Sequence, residues 1–154
     1  MGNLGMEPGM RIIKERKEKK MIILTYKSAT AKLTFEGTSF MWQDIDGLVS
    51  NPIVEILSLK SEEQNKNHGT GLLKIITDKY NDHLIILKAE PMFKTEEEWA
   101  ACLDLDARLE KLKEFYIKRN FKSINDFVGY ELGEAMCYNN NAYLKLRQKI
   151  NTFK

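Results

Sequence analysis

The sequence predicts one α+β domain, built on a central twisted sheet of about six or seven mostly antiparallel strands with one parallel pair. Two observations predict this class. Alternation of apolar and polar residues within 21–44 is typical of antiparallel strands that have one buried face. A strand, a helix and a strand then follow within 53–87, and so short a βαβ unit should have parallel strands flanking its helix. We expect the domain to span residues 1–154, with 1–20 as a charged N-terminal extension.

The first half of the chain predicts an antiparallel meander. Short polar or glycine-containing turns separate three β-rich segments, at Met21–Lys27, Ala31–Glu36 and Ser39–Asp44. In the second segment, Leu33 and Phe35 alternate with polar residues, which predicts a strand with one face in the core.

The middle of the chain predicts the parallel pair. The strand Ile53–Leu59 is mostly apolar and leads through polar residues into Gly69-Thr70-Gly71. The helix that follows carries apolar residues on one side, namely Leu72, Leu73, Ile76 and Tyr80. The continuous apolar run Leu84–Leu87 is expected to be a strand buried on both faces.

Further helices and strands are predicted after Pro91. Thr95 with Glu98 forms a capping box and predicts a helical segment that carries Trp99. Another helical stretch is expected to run to about Arg119. The last elements are predicted as strands near Ser123–Tyr130 and Glu134–Tyr138, a turn over 139–141, and a tail with helical periodicity over Tyr143–Phe153.

The charge balance argues against a nucleic-acid or membrane partner. The 24 basic and 22 acidic side chains leave a net charge of +2, and no apolar run reaches the roughly 18 residues that a transmembrane helix needs. Residues 14–20 form a charge run that we interpret as the exposed end of a short helix, with a basic nucleic-acid arm as the alternative. Cys102 and Cys137 match no disulfide or zinc pattern, so a cytoplasmic protein is expected.

The junction between Ile53–Leu59 and the following helix is a candidate anion site. A helix N-terminus offers unpaired N–H groups and the positive end of the helix dipole. Gly69 and Gly71 remove side chains that would keep an anion from this backbone, and Lys66 and His68 lie beside it. The structural alternative is a tight strand-to-helix turn. The loop has neither the Gly-Lys-Ser/Thr of a Walker loop nor the third glycine of a dinucleotide fingerprint.

Two motifs resemble those of the GNAT superfamily of acyl-CoA N-acyltransferases. Residues 66–71, Lys-Asn-His-Gly-Thr-Gly, are similar to the family's Arg/Gln-x-x-Gly-x-Gly/Ala, with Lys in the first position. Residues 112–121, Leu-Lys-Glu-Phe-Tyr-Ile-Lys-Arg-Asn-Phe, are similar to Leu-x-x-Phe-Tyr-x-Lys-x-Gly-Phe, with Asn120 in place of the glycine. The likeness covers about residues 53–138. It implies a GNAT-like fold with splayed parallel strands, acetyl-CoA as co-substrate without a metal, and acetyl transfer to a primary amine of a small molecule or protein.

The resemblance also implies which residues hold the coenzyme. The loop amides would bind the pyrophosphate, and the end of the preceding strand would pair with the pantetheine arm. The implied set is Leu59, Lys60, Ser61, Lys66, Asn67, His68, Gly69, Thr70, Gly71, Leu72, Phe115 and Lys118.

Three side chains are candidates for catalysis. Tyr116 occupies the position where many GNAT members place the tyrosine that protonates the departing thiolate, and a phenol is protonated at pH 7. The alternative is that Tyr116 only packs, since it lies on an apolar helical stripe. Glu55, inside an apolar strand, and Glu90, at the end of the next strand, are candidate bases, with solvated carboxylates as the alternative for each.

The N-terminal half departs from the family. Members place two helices after the first strand, and no such pair is predicted between Met21 and Asn51. Residues 92–105 insert a Trp-bearing segment, which we expect to shape the acceptor pocket together with Trp42, although both tryptophans fit a core equally well. The alternative function is a non-catalytic GNAT-fold protein that retains at most coenzyme A binding. Residue usage indicates a bacterial or phage genome, and a homodimer is left open.

Overall fold

One seven-stranded sheet organises the chain. The computed structural model describes residues 14–18, 21–36, 40–62, 67–90, 96–97, 104–128 and 133–152. The elements within these ranges are β1 Lys14–Glu18, β2 Met21–Tyr26, β3 Ala29–Thr34, α1 Phe40–Ile45, β4 Ile53–Ser61, α2 His68–Lys79, β5 Leu84–Ala89, α3 Leu105–Lys118, β6 Phe121–Ser123, α4 Asn125–Val128, β7 Glu134–Tyr138 and α5 Asn141–Thr152.

The sheet is mixed, as the sequence predicts. Its strand order is β1-β2-β3-β4-β5-β7-β6. β4 and β5 are parallel, with Ile53 opposite Leu84 and Ile56 opposite Leu87. Every other neighbouring pair is antiparallel. The predicted α+β class and the predicted parallel pair around one helix are confirmed.

Apolar side chains cover both faces of the central strands. One cluster joins the sheet to α2 and α3, through residues such as Leu33, Val54, Leu72, Ile76 and Tyr116. The second cluster joins the opposite face to α1, α4 and α5, through residues such as Ile45, Ile53, Ile86, Ile124 and Leu146. β4 and β5 contribute to both clusters, which is why their paired segments are mostly apolar and do not alternate.

Two segments differ from the predicted elements in the first half. Residues 14–18 form an edge strand paired with β2. The hydrogen bonds between strands join backbone groups, which every non-proline residue has, so charged side chains do not prevent this pairing. Residues 40–45 form a helix and not a strand. Trp42 and Ile45 are both buried in the second cluster, and their spacing of three places them on one helical face.

The C-terminal elements differ in their bounds. A strand was predicted near Ser123–Tyr130, but the strand β6 ends at Ser123 and the helix α4 follows it. Ile124 and Val128 are both buried at helical spacing, and the Val128 amide donates to the Ile124 carbonyl over 2.9 Å. α5 begins two residues before the predicted tail. Most of the Trp-bearing segment lies outside the described residues, within which 96 and 97 are helical. No helix among the described residues is long and apolar enough to cross a membrane.

Candidate functional site

A groove lies where β4 and β5 separate. Their pairing ends at Ile56 and Leu87, although β4 continues to Ser61. At the same point β4 carries an extra residue relative to β3: Ile56 faces Leu33 and Ser58 faces Lys32, so Leu57 is a β-bulge. A bulge bends its strand and increases its twist. The backbone groups of β4 that point away from β3 beyond Leu57 therefore face a gap and not a neighbouring strand.

Two adjoining cavities of about 430 and 450 Å³ form this groove. They share five lining residues, namely Leu59, Lys60, Ser61, Leu112 and Tyr116. The first cavity, here called the α2 end, continues to the N-terminus of α2 and to Arg119. The second, here called the β5 end, continues along Lys88 and Glu90 to Arg108.

The α2 end offers backbone donors and positive charge. The first helical hydrogen bond of α2 runs from the Gly71 amide to the Asn67 carbonyl over 2.9 Å, so the Gly69 and Thr70 amides lie outside the helical ladder. Asn67 adopts a left-handed conformation and makes no side-chain cap. The described lining residues of the α2 end include Lys60 and Arg119 but no carboxylate. This arrangement suits an anion.

The two glycines of the motif have different surroundings. A Cβ on Gly69 would lie 4.0 Å from Ser61 Cβ, which is ordinary contact, and Gly69 lines the groove. A Cβ on Gly71 would lie 2.8 Å from the Tyr26 ring. Gly71 is therefore a packing requirement of α2 on the sheet, whereas the sequence interpretation gave both glycines the same role.

A polar cluster fixes the start of α2 to the β2–β3 turn. The Ser28 hydroxyl lies 2.7 Å from His68 Nδ1 and 3.0 Å from the Ser61 hydroxyl. The Tyr26 ring packs edge-on against the His68 ring, with 6.4 Å between centroids. These contacts connect three separate segments and hold the helix terminus at the end of β4.

Tyr116 lies where both cavities meet. Its side chain is 7% exposed and packs between Phe115 and Phe121, with ring centroids 5.1 and 5.5 Å away. Burial raises the pKa of Tyr116 from its ordinary 10.0 to about 12. The phenol is thus protonated throughout the physiological range, which is the state that a general acid needs.

The sequence interpretation gave Arg119 no role, although Arg119 lines the α2 end. Its Nη1 donates to the Phe115 carbonyl over 2.9 Å and its Nη2 to the Thr70 hydroxyl over 3.2 Å. The guanidinium lies over the Phe115 ring, 4.0 Å from the centroid. The Arg119 side chain can turn back toward the Phe115 carbonyl because α3 ends at Lys118. Asn120, just after the end of this helix, has the left-handed conformation expected there, with φ 70°.

The structure separates the two candidate bases. Glu90 lines the β5 end of the groove. Glu55 is 1% exposed, is paired with Thr34 across the sheet, and lines neither cavity of the groove. Since alternate residues of a strand face opposite sides, Glu55 shares the face of Ile53, which packs with α1, α4 and α5.

The implied coenzyme-binding residues are only partly brought together. Eight of them line the α2 end: Leu59, Lys60, Ser61, Asn67, His68, Gly69, Thr70 and Phe115. Leu72 is fully buried in the core, and Lys118 is exposed at the end of α3 outside both cavities. Lys66 lies outside the described residues. Trp42 lines a separate cavity with Asp46 and Asn51 and not the groove.

Other reactive groups are remote from the groove. Cys137 is fully buried, and this burial raises the pKa of its thiol, so it is not an accessible nucleophile. Within the described ranges, no group of three or more His, Cys, Asp or Glu side chains could hold a metal ion.

Comparisons with known proteins add little. No protein-family model matches the chain, and no curated protein matches it. A solved structure described as "Crystal structure of bacterial toxin" aligns over 86% of this chain and 70% of that chain, with 14% identity and a TM-score of 0.41.

Proposed function

We propose that this protein is an acetyl-CoA-dependent N-acetyltransferase, in which a primary amine attacks the thioester directly. One observation carries the proposal: a single groove, along the gap between β4 and β5, joins the N-terminus of α2 to the buried phenol of Tyr116. Both GNAT-like motifs, at 66–71 and 112–121, contribute lining residues to the α2 end of this groove, and Leu112 and Tyr116 of the second motif also line the β5 end.

The groove has the chemistry that coenzyme A requires. The amides of Gly69 and Thr70, with Lys60 and Arg119 nearby and no described carboxylate in the lining, suit a diphosphate. Beyond the bulge at Leu57, none of the described strands pairs with β4 on its β5 side. Buried backbone groups need hydrogen-bond partners, and the two amides of a pantetheine arm would provide them.

The transfer itself needs few side chains. The amine nitrogen adds to the thioester carbonyl, and an amide near the bulge of β4 stabilises the resulting oxyanion. As the carbon–sulfur bond breaks, the attacking nitrogen releases a proton to solvent, and the sulfur takes a proton from the Tyr116 hydroxyl, which regains one from solvent. The products are the acetylated amine and the free thiol of the coenzyme.

Glu90 is the better candidate for the base. It lines the β5 end of the groove, where the acceptor would approach, whereas Glu55 lies on the opposite face of the sheet. A carboxylate at this end would remove the proton that an incoming ammonium must lose. Lys88 and Arg108 line the same end and would contact the rest of the acceptor.

The non-catalytic alternative has one observation in its favour. Upstream of β4, the described residues hold a single six-residue helix, which lies between β3 and β4, whereas GNAT members place two helices after their first strand and use them to help form the acceptor site. Such a protein would keep the coenzyme site at the α2 end of the groove and lack a site for an acceptor. It would bind coenzyme A and transfer nothing.

The first experiment asks whether the coenzyme site exists. Acetyl-CoA at a hundred times its dissociation constant should stabilise the folded protein by about 2.7 kcal/mol, since only the folded state binds it. The measurement is thermal melting over a series of acetyl-CoA concentrations. A melting temperature that never moves would contradict both the enzyme and the coenzyme-binding alternative.

The second experiment separates the enzyme from that alternative. Thiol release is measured with polyamines, aminoglycosides, amino acids and peptide N-termini as acceptors. Tyr116→Phe should lower kcat on the order of a hundredfold and leave coenzyme affinity nearly unchanged. Tyr138→Phe is the matched control, because Tyr138 packs on the same Phe121 ring but does not line the groove. An unaltered kcat in Tyr116→Phe would reduce Tyr116 to packing.

The proposed setting follows from the co-substrate. Acetyl-CoA is a cytoplasmic metabolite, and we propose the cytoplasm of a bacterium or phage-infected cell as the location. The acceptor is a primary amine on a small molecule or a protein, and the acceptor screen is also the experiment that identifies it.

A further inference from the structure

We infer that Arg119 is the fixed cation that positions the coenzyme diphosphate, and that it does so together with the Thr70 hydroxyl. The inference rests on the proposed coenzyme site and goes beyond it, because neither GNAT-like motif specifies the residue at this position. It also places the charge outside the 66–71 loop.

The guanidinium is held in one orientation. Nη1 donates to the Phe115 carbonyl at 2.9 Å, Nη2 donates to the Thr70 hydroxyl at 3.2 Å, and the plane lies over the Phe115 ring at 4.0 Å from the centroid. Three contacts from two helices fix both its position and its tilt. A cation fixed before the ligand arrives loses little freedom on binding.

One donor of this fixed group is unused. Arg119 Nε is buried and has no hydrogen-bond partner. Buried polar atoms without partners are rare in folded proteins, and each calls for an explanation. A guanidinium has five N–H groups and these contacts use two of them, so a ligand oxygen in the cavity that Arg119 lines can accept from the N–H groups that remain on Nη1 and Nη2.

The neighbouring groups point to the same ligand. Arg119, Gly69 and Thr70 line one cavity, and its described lining contains no carboxylate that would neutralise the cation. Since the Thr70 hydroxyl accepts a hydrogen bond from Arg119, its own proton is directed elsewhere. A bridging diphosphate offers several oxygens and would accept from the guanidinium, the hydroxyl and the first-turn amides together.

Among the described residues, the other candidates for this positive charge are Lys118 and Lys60, and both are weaker. Lys118 lies outside both cavities of the groove. Lys60 lines the groove but is exposed to solvent. A guanidinium presents a planar fork that matches phosphate oxygens, whereas a lysine provides only a point charge. Arg119 is therefore a positioning residue for the coenzyme and takes no part in the acetyl transfer.

The test uses four probes and three variants of the full chain. Isothermal titration calorimetry measures coenzyme A, dephospho-coenzyme A, pantetheine and inorganic pyrophosphate with the wild type, Arg119→Met, Arg119→Lys and Lys111→Met. We expect Arg119→Met to weaken coenzyme A, dephospho-coenzyme A and pyrophosphate by one common factor of about ten to a hundred, and to leave pantetheine unchanged. Lys111→Met removes one charge from an exposed position of the same helix and should change nothing.

Each other result overturns the inference. An equal loss for pantetheine would make Arg119 a purely structural residue. A loss confined to coenzyme A would assign it to the 3′-phosphate, and no loss would leave it without a ligand. If Arg119→Met fails to fold, the test uses Arg119→Lys, which keeps the positive charge but not the planar guanidinium. A pyrophosphate affinity of Arg119→Lys equal to that of the wild type would contradict the inference.

The same data separate this inference from the proposed function. A wild type that binds pyrophosphate through Arg119 but not coenzyme A keeps the diphosphate site and loses the acetyltransferase proposal. A wild type that binds coenzyme A with no contribution from Arg119 keeps the proposed coenzyme site and contradicts the inference about Arg119. If none of the four probes binds, both are wrong.

Discussion

The two halves of the parallel pair β4–β5 behave as different structures. From Ile53 to Ile56 the strands are in register, and the side chains are buried in two apolar clusters. From Leu57 onward they separate, Leu57 is 49% exposed, and the lining side chains include Lys60, Lys88 and Glu90. One bulged residue marks the boundary.

This difference shows how a stable sheet can carry an open site. The paired half satisfies its backbone internally and anchors the strands, while the open half leaves backbone groups available to a ligand. A change in the first half should therefore alter stability, and a change in the second should alter ligand binding.

The largest effect is expected from a deletion in the paired half. Ile86 is fully buried, so Ile86→Ala should lower the free energy of unfolding by about 2–5 kcal/mol through lost transfer energy and a cavity. Leu57→Ala is the matched deletion in the open half and should cost far less, because Leu57 is already half in solvent. Urea denaturation measures both, and equal losses would remove the distinction between the halves.

A pH effect is expected next, at the junction of the two cavities. The pKa of Tyr116 is raised to about 12 in the folded protein, so between pH 10 and 12 the unfolded chain loses this proton while the folded chain retains it. The contribution of Tyr116 to stability is therefore complete below pH 10 and is lost as pH rises to 12, on the order of 2–3 kcal/mol. The free energy of unfolding of Tyr116→Phe, measured between pH 9 and 12, should lack this part of the decline. Parallel curves for the two proteins would contradict the prediction.

The two glycines of α2 give a smaller, paired prediction. Gly71→Ala should destabilise the protein by about 1–3 kcal/mol, because its Cβ would overlap the Tyr26 ring. Gly69→Ala has room for its Cβ and should leave stability unchanged or slightly higher, since alanine favours a helix. Calorimetry should instead show weaker coenzyme A binding by Gly69→Ala. The division fails if Gly69→Ala is the less stable of the two.

The smallest effect concerns the polar cluster at the start of α2. Ser28→Ala removes a hydroxyl that lies within hydrogen-bond distance of both His68 and Ser61, and it should cost about 1 kcal/mol of stability. Coenzyme A affinity should fall slightly, because the helix terminus loses one attachment. Thermal melting with and without the coenzyme distinguishes the two effects. An affinity that rises would show that the cluster restrains the site and does not support it.

Local patterns predicted the elements around the site well. The apolar runs at 53–59 and 84–87, with glycines and a helix between them, identified the parallel pair. Asn120 has the left-handed conformation that its place after α3 predicted. Segments held mainly by distant partners were missed: β1 depends on pairing with β2, and α1 on a cluster that also contains α5. The periodicity of apolar residues within a segment does not indicate which distant segments it will pack against.

The candidate site was predictable only as a set of motifs. The sequence favoured Glu55 over Glu90 as the base because Glu55 lies inside an apolar strand, but a strand buried on both faces does not reveal which face a carboxylate takes, and Glu90 is the one that lines the groove. Gly71 followed the motif, yet its surroundings are set by Tyr26, 45 positions earlier in the chain. Arg119 had no signal at all, since its contact with Thr70 spans 49 residues.

Spacing and turn chemistry act over a few neighbouring residues, so local patterns in the chain are enough to specify the α+β class, the parallel pair and the position of a glycine-rich helix start. The point where β4 and β5 separate, the carboxylate that lines the groove and the cation at its α2 end are instead set by tertiary packing. Those features depend on a bulge opposite β3 and on contacts between α2 and α3. They arise from packing between segments far apart in the chain, and such packing leaves no local pattern to read.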